Sequence, residues 1–164
     1  MSSILKVDQI QLSNGNTPTA GDLGLNTTGS VLQVQHHIKS GQVVVSDTAG
    51  DTTVFSGSIT PTSASSKILI LMSHNIYTSG IISSGSFGEK ILRGSTEIYN
   101  KSEVWYVSNT LDMFEAWSTN FYDSPSTTSS ITYNYQLQPS SGRGVLKYNR
   151  GGGNATMTLM EIAG

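Results

Sequence analysis

Between Lys67 and Ile76 the chain reads Lys-Ile-Leu-Ile-Leu-Met-Ser-His-Asn-Ile. Five consecutive apolar residues, Ile68 to Met72, follow a turn-rich stretch, Thr60–Ser66. A strand with one wet face should alternate apolar and polar positions. In this one Ile68, Ile70, Met72 and His74 point one way, and Leu69, Leu71, Ser73 and Asn75 the other. The ending, Asn-Ala-Thr-Met-Thr-Leu-Met-Glu-Ile-Ala-Gly, repeats the feature: Met157 and Leu159 share one face, Met160 and Ile162 the other. Either a bulge shifts the phase of this last strand or both of its faces are covered. One set of each strand fills a core. The other is covered by a loop, by an N-terminal arm or by a second subunit, and a subunit interface is the stronger expectation. Burying a Leu or Ile contributes roughly 1.5–3 kcal/mol, so a few such residues per copy suffice to hold an oligomer. The candidate interface residues are Leu69, Leu71, Met160 and Ile162.

The pattern elsewhere predicts strands at Val31–Ile38, Gln42–Val45, Thr53–Ser56, Ser86–Arg93, Glu97–Tyr99, Asp112–Tyr122, Ser130–Gln138, Gly144–Tyr148 and Ala155–Ile162. No window carries apolar residues at helical spacing between caps. The segment Thr110–Phe121 comes nearest, but Met113, Trp117 and Phe121 fit a period of two equally well. Tyr133, Tyr135 and Leu137 alternate on one face of their strand. Asp123-Ser124-Pro125 reads as a turn, and Ser140–Gly144 and Asn149–Asn154 read as glycine-rich hairpin loops. Short strands without helical crossovers predict an all-β, antiparallel β-sandwich over residues 31–164, with jelly-roll topology preferred. Residues 1–30 are set apart. Asn14-Gly15, Pro18, Gly21, Gly24 and Gly29 supply loop chemistry with too few apolar residues for a core. They predict an extended N-terminal docking arm.

Composition supports this picture and removes several functions. Of the 164 residues only 12% are charged, and Ser, Thr, Asn and 17 Gly fill the gap; such chains suit pleated sheets and turns. A net charge of −2 gives no footprint for nucleic acid. No apolar run is long enough for a membrane span. Met1-Ser2-Ser3 leads straight into Ile-Leu-Lys-Val-Asp, so no secretory signal is expected. With no cysteine, neither disulfides nor thiolate-bound zinc is available.

Candidate chemistry is sparse. His36 and His37 are adjacent and point to opposite faces, so one chain cannot chelate a metal with both. Together with His74 they read as ordinary polar strand positions, with one histidine from each of three subunits on a symmetry axis as the alternative. Asp47 and Asp51 lack the ligand order of a calcium loop. Glu103, Asp112 and Glu115 read as scattered surface acids rather than a glycosidase pair. No nucleophile elbow, zinc-protease or phosphate-loop motif occurs. Neither a cofactor nor a metal is expected, and no catalytic residue. Trp105, Tyr106, Trp117 and Tyr122 are candidate ligand contacts, since aromatic platforms beside Asn, Asp or Ser suit sugars. The competing reading puts a tryptophan in the core with its N–H satisfied.

Several stretches, taken in order, resemble a domain of tailed-phage virion proteins, especially fibre-like and tail-associated proteins of marine and cyanobacterial phages. "SSILKVDQIQLSNGNTP" is similar to the N-terminal segment of such fibres. "GSVLQVQHHIKSG", "SITPTSASSKILIL", "ILRGSTEI", "FYDSPSTTSSITYNYQL" and "ATMTLMEIAG" resemble successive strands and turns of the associated sandwich. The resemblance runs nearly end to end. It implies a non-enzymatic virion structural protein, made in the host cytoplasm and assembled into the virion. It also implies a homotrimer docked on another virion protein through residues 1–30. A short tail fibre or tail-associated protein contributing to host attachment, in contact with a host surface glycan, is the first expectation. A capsid decoration or head-fibre protein and a carbohydrate-binding module are the alternatives.

Overall fold

The computed structural model describes residues 9–19, 21–25, 27–46, 50–79, 85–107, 112–139 and 144–164. Its regular elements are β1 (Val31–Ser40), β2 (Val43–Ser46), β3 (Thr52–Ile59), β4 (Lys67–Ser79) and β5 (Gly85–Arg93). They continue as β6 (Thr96–Val107), β7 (Met113–Asp123), β8 (Ile131–Pro139), β9 (Val145–Tyr148) and β10 (Asn154–Ile162).

One rule governs their pairing. β1 pairs with β10, β2 with β9, β3 with β8, β4 with β7 and β5 with β6, all antiparallel. The chain is therefore one long hairpin closed at its tip by Gly94-Ser95. Arg93 faces Thr96 there, and Gly94 takes φ 60°, the first-position geometry that a tight two-residue hairpin turn requires. The hairpin then rolls up. The free edge of β4 receives β10 and β9, and that of β5 receives β8. The first sheet, with order β1-β10-β4-β7, carries β9 and β2 beside the second half of β4; it faces the second sheet, β3-β8-β5-β6. A hairpin rolled in this way is a jelly roll, so the expected all-β antiparallel sandwich is the observed one.

β4 is the central strand of the first sheet, paired along both edges. Ile68, Ile70, Met72, His74 and Ile76 are buried between the sheets. Leu69 and Leu71 point outward, half-buried and exposed respectively. β10 holds regular register with β4 throughout; against β1 it slips once, between Val31 and Gln33, where the extra residue lies on β1 rather than on β10. Met157 and Leu159 face the core, and Met160 and Ile162 lie half-buried on the outer face. No bulge is needed to explain its two apolar faces. Tyr133, Tyr135 and Leu137 complete the core from the opposite sheet, fully buried.

Beside β4 the first sheet splits, because β10 leaves it at Ser73 and β9 joins at Ile76. Asn149 closes the split. It is fully buried with φ 55°, a backbone region that Asn tolerates better than most residues. Its N–H donates to the Asn75 carbonyl at 2.9 Å. Its Nδ2 donates to the carbonyls of Lys39, Gly41 and Gly153.

Four local readings change. Asp123 is the buried last residue of β7 rather than a turn residue, because Arg93 and Tyr133 hold its carboxylate. Asn149–Asn154 is not a hairpin loop: β9 and β10 both pair with β4 and not with each other. β8 and β9 lie in different sheets, so Ser140–Gly144 does not close a hairpin either; residues 140–143 fall outside the described residues. β6 runs from Thr96 to Val107, well beyond Tyr99. It is an edge strand whose exposed side takes polar residues, and this hid it from an apolar pattern.

Residues 9–19, 21–25, 27 and 28 are mostly exposed. Near the end of this segment, Gly29 N–H donates to the Ala163 carbonyl and Ala163 N–H to the Ser30 carbonyl, both at 2.8 Å. This clamp fixes the start of β1 against the C-terminus.

Candidate functional site

The most concentrated polar chemistry lies inside the sandwich. Glu89, only 2% exposed, sits on β5 between Phe87 and Ile91, all three facing inward. Its Oε1 accepts from Tyr99 Oη at 2.9 Å. Its Oε2 accepts from Thr119 Oγ1 and Tyr135 Oη at 2.7 Å and from Trp117 Nε1 at 3.3 Å. Thr119 and Trp117 come from the opposite sheet, so the carboxylate ties the two layers together. Tyr135 Oη also lies 3.3 Å from His74 Nε2. Because the Tyr135 proton goes to Glu89, the consistent assignment puts a proton on His74 Nε2, which then donates to Tyr135. The His74 ring packs against the Tyr135 and Tyr148 rings, with centroids at 5.1 and 4.9 Å. Burial holds its pKa down at about 4, so the imidazole is neutral at physiological pH. Burial, followed by the neighbouring Glu89, pushes the Tyr99 hydroxyl up to about 12.

Two further buried carboxylates are equally committed. Asp123 accepts both oxygens' bonds from Arg93 Nη1 at 3.0 Å, and its Oδ2 accepts from Tyr133 at 2.7 Å. Glu161 accepts from Gln33 Nε2 at 2.6 Å and from the Thr62 N–H and hydroxyl at 2.7 and 2.8 Å. Burial works to raise the Glu161 pKa, yet these hydrogen bonds, Gln33 first, hold it below the ordinary carboxylate value. Each acid accepts hydrogen bonds from donors on other elements. The slot beside Trp117, lined by Ile76, Thr78, Phe87, Met113 and Glu115, has a volume of about 10 Å³, room for one water at most. A shallow opening of about 490 Å³ between β1 and β3, from Ile38 to Ser40 and from Thr53 to Ser56, is lined by no carboxylate.

The aromatic candidates lie on strands, not on loops. Trp117 faces inward, with its indole on Glu89 and its ring 6.2 Å from Phe87. Tyr122 points out of the same strand, 53% exposed, and Tyr106 on β6 is 61% exposed. Tyr106 pairs with Ser86 and Tyr122 with Leu69, on different sheets, so the structure does not bring them together. The side chain of Trp105 and the whole of Asp47 fall outside the described residues. Asp51 pairs with Lys90 at 2.7 Å, and Asp112 accepts from Tyr77 Oη at 2.6 Å. Glu103 and Glu115 are exposed. His36 Nδ1 lies 2.9 Å from Thr158 Oγ1 on the outer face. His37 Nε2 reaches across to the Ser58 backbone at 3.0 Å, linking the edges β1 and β3. Among the described residues no three His, Asp or Glu side chains cluster as metal ligands.

The buried acids carried a signal in the sequence. Glu89 falls in step with Phe87 and Ile91, Glu161 with Met157 and Leu159, and His74 with Ile70, Met72 and Ile76. A charged or imidazole side chain on the apolar phase of a strand marks an internal tie.

The outer faces differ sharply. On the first sheet one cross-strand row reads Val34–Met160–Leu69–Tyr122 and the next His36–Thr158–Leu71–Asn120. Val34 is 51% exposed and Leu71 39%. Further along, Val44, Lys147, Tyr77 and Phe114 form another row, with the Arg150 guanidinium 3.6 Å above the Tyr77 ring. On the second sheet Ser58 bonds Thr132 at 2.8 Å, Ser56 bonds Asn134 at 2.7 Å and Gln136 bonds Thr53 at 3.0 Å. Lys90 there pairs with both Asp51 and Glu97.

The sequence matches no protein-family model and no curated protein. Solved structures of similar shape include a mutant VP2 protein of infectious bursal disease virus in derived T=1 particles, with 13% identity and a TM-score of 0.46, over 82% of this chain and 37% of that one. The T13 particle of the same virus matches at 12% identity and a TM-score of 0.44, over 99% of this chain and 40% of that one. This chain thus spans about two fifths of the solved chains it matches. At that identity and score the likeness adds nothing to the strand pairing, from which the jelly roll follows.

Proposed function

We propose that this chain is a non-enzymatic structural protein of a phage virion, held on the particle through residues 1–30 with the jelly roll displayed beyond them. The observation that carries the reading is the ordered resemblance to phage virion domains. Each stretch falls on a successive part of the fold: β1, the β3–β4 turn with the start of β4, the β5–β6 hairpin, the end of β7 with β8, and β10. The interior is consistent with it, since the buried carboxylates serve as ties between strands. A surface or decoration role on the particle suits the geometry better than receptor binding by a shared aromatic platform, because Trp117 points into the core while Tyr106 and Tyr122 stand on different sheets. A homotrimer is part of the proposal.

The test is a reconstruction of the intact particle with this chain located in it, beside particles assembled from a chain lacking residues 1–28. That deletion spares the Gly29 and Ser30 bonds to Ala163. The shortened chain should keep its β-sheet circular dichroism and fail to incorporate. Incorporation at the normal level would remove the docking role of the arm, and absence of the chain from purified particles would remove the virion reading.

A further inference from the structure

We propose that the outer face of the first sheet, centred on Val34, Leu69, Leu71, Met160 and Tyr122, is where copies of this chain pack against one another. The inference deepens the homotrimer within the proposed function, but it concerns the isolated chain and can be tested without particles.

Three observations lead to a second copy as the occupant. The first is the contrast in exposure. Val34, Leu71 and Tyr122 are each more than a third exposed and lie in adjoining rows across four strands, while the opposite sheet meets solvent with paired hydroxyl, amide and charged groups. Contiguous apolar patches on a sheet face mark interaction surfaces.

The second is charge. The two central rows, Val34–Met160–Leu69–Tyr122 and His36–Thr158–Leu71–Asn120, carry no Asp, Glu, Lys or Arg, and Lys67 and Lys147 stand toward the two ends of the face. A strongly basic or acidic partner finds no complementary charge in these rows. The same rows of another copy meet them without a like-charge penalty.

The third is size. β4 is 13 residues long, and the face is four strands wide at its broad end. At ~3.3 Å per residue and ~4.8 Å per strand it covers roughly 800 Å². That is about the area each partner contributes to a stable protein–protein interface.

The chain has no cysteine, so single replacements report position cleanly. Leu71→Cys and Thr132→Cys place one thiol on each outer face, and both positions are exposed. A short thiol–thiol cross-linker should join Leu71→Cys chains efficiently and leave Thr132→Cys chains single. In parallel, Leu71→Asp should weaken self-association roughly thirtyfold or more, as expected for a charge left unpaired in an interface, and Thr132→Asp should leave it unchanged. Circular dichroism confirms that each variant is folded, and Val34→Asp serves in place of Leu71→Asp if that chain misfolds. A chain that stays monomeric through high micromolar concentration overturns the inference while leaving the virion reading to the particle map. So does an oligomer that resists both Asp changes or cross-links as well through Thr132→Cys.

Discussion

The two sheets contribute to one interior and present different surfaces. On β3-β8-β5-β6 the outward positions include Ser56, Ser58, Thr132, Asn134, Gln136 and Lys90, tied to one another or to Thr53, Asp51 and Glu97, with Leu92 half-buried beside Asn134 and Tyr106 exposed toward the end of the edge strand. On β1-β10-β4-β7 they are Val34, Leu69, Leu71, Met160 and Tyr122. Both sheets have comparable strands and a common core, so fold stability does not account for the difference. The proposed packing of copies on the first sheet would account for it. The lesson is to read the outer phase of each strand separately from the inner phase, since only the outer one reports on partners.

The sharpest way to break the comparison uses neighbouring residues on β4. Ile70 is fully buried and Leu71 is exposed. Ile70→Asp should unfold the chain outright, since an unpaired buried charge costs several kcal/mol, while Leu71→Asp should stay folded and dissociate. Circular dichroism with mass measurement on both variants checks this. Two unfolded variants would make β4 an internal strand on both faces.

Next in size is the tie between the layers. Glu89→Leu removes the acceptor for Tyr99, Trp117, Thr119 and Tyr135 and leaves several buried donors unmatched at about 1–3 kcal/mol each. A total loss of about 3–5 kcal/mol is expected in denaturant unfolding, with assembly lost only as the fold is lost. A stable Glu89→Leu chain would show that the network contributes little.

A smaller effect comes from acid. In the unfolded chain an imidazole titrates near 6.5, whereas in the fold His74 is held at about 4. Below pH 6.5 the unfolded state binds a proton that the native state refuses, so stability falls as pH drops and levels off below about 4. The accumulated loss is on the order of 3 kcal/mol. Glu161, whose pKa is lowered in the fold, adds its own loss only below the ordinary carboxylate value of 4.5. His74→Phe keeps a ring against Tyr135 and Tyr148 and should flatten the slope between pH 6.5 and 4.5 in urea titrations; an unchanged slope would assign it to another group.

Much of the fold was legible in local pattern. The alternation of Tyr133, Tyr135 and Leu137 and the two phases of Met157–Ile162 gave strand and facing directly. The nested pairing of β1 with β10 or β2 with β9 was not legible, because it joins residues far apart and leaves no periodic trace. β6 was cut short because Asn100–Glu103 are polar, which an edge strand permits. Leu69, Leu71, Met160 and Ile162 stood out through their phase. Val34 and Tyr122 joined them only through cross-strand register. Glu89 and Glu161 were visible in phase but had no recognisable partners until Tyr99, Thr119, Gln33 and Thr62 were brought to them by the roll of the sheets.

The most direct test of the central claim is the mass of the purified wild-type chain by light scattering, from low to high micromolar concentration. Each chain is 17.5 kDa. A trimer built on the apolar sheet face predicts three times that mass, reduced to the single-chain value by Leu71→Asp. A single-chain mass for the folded wild type across the whole range would contradict it.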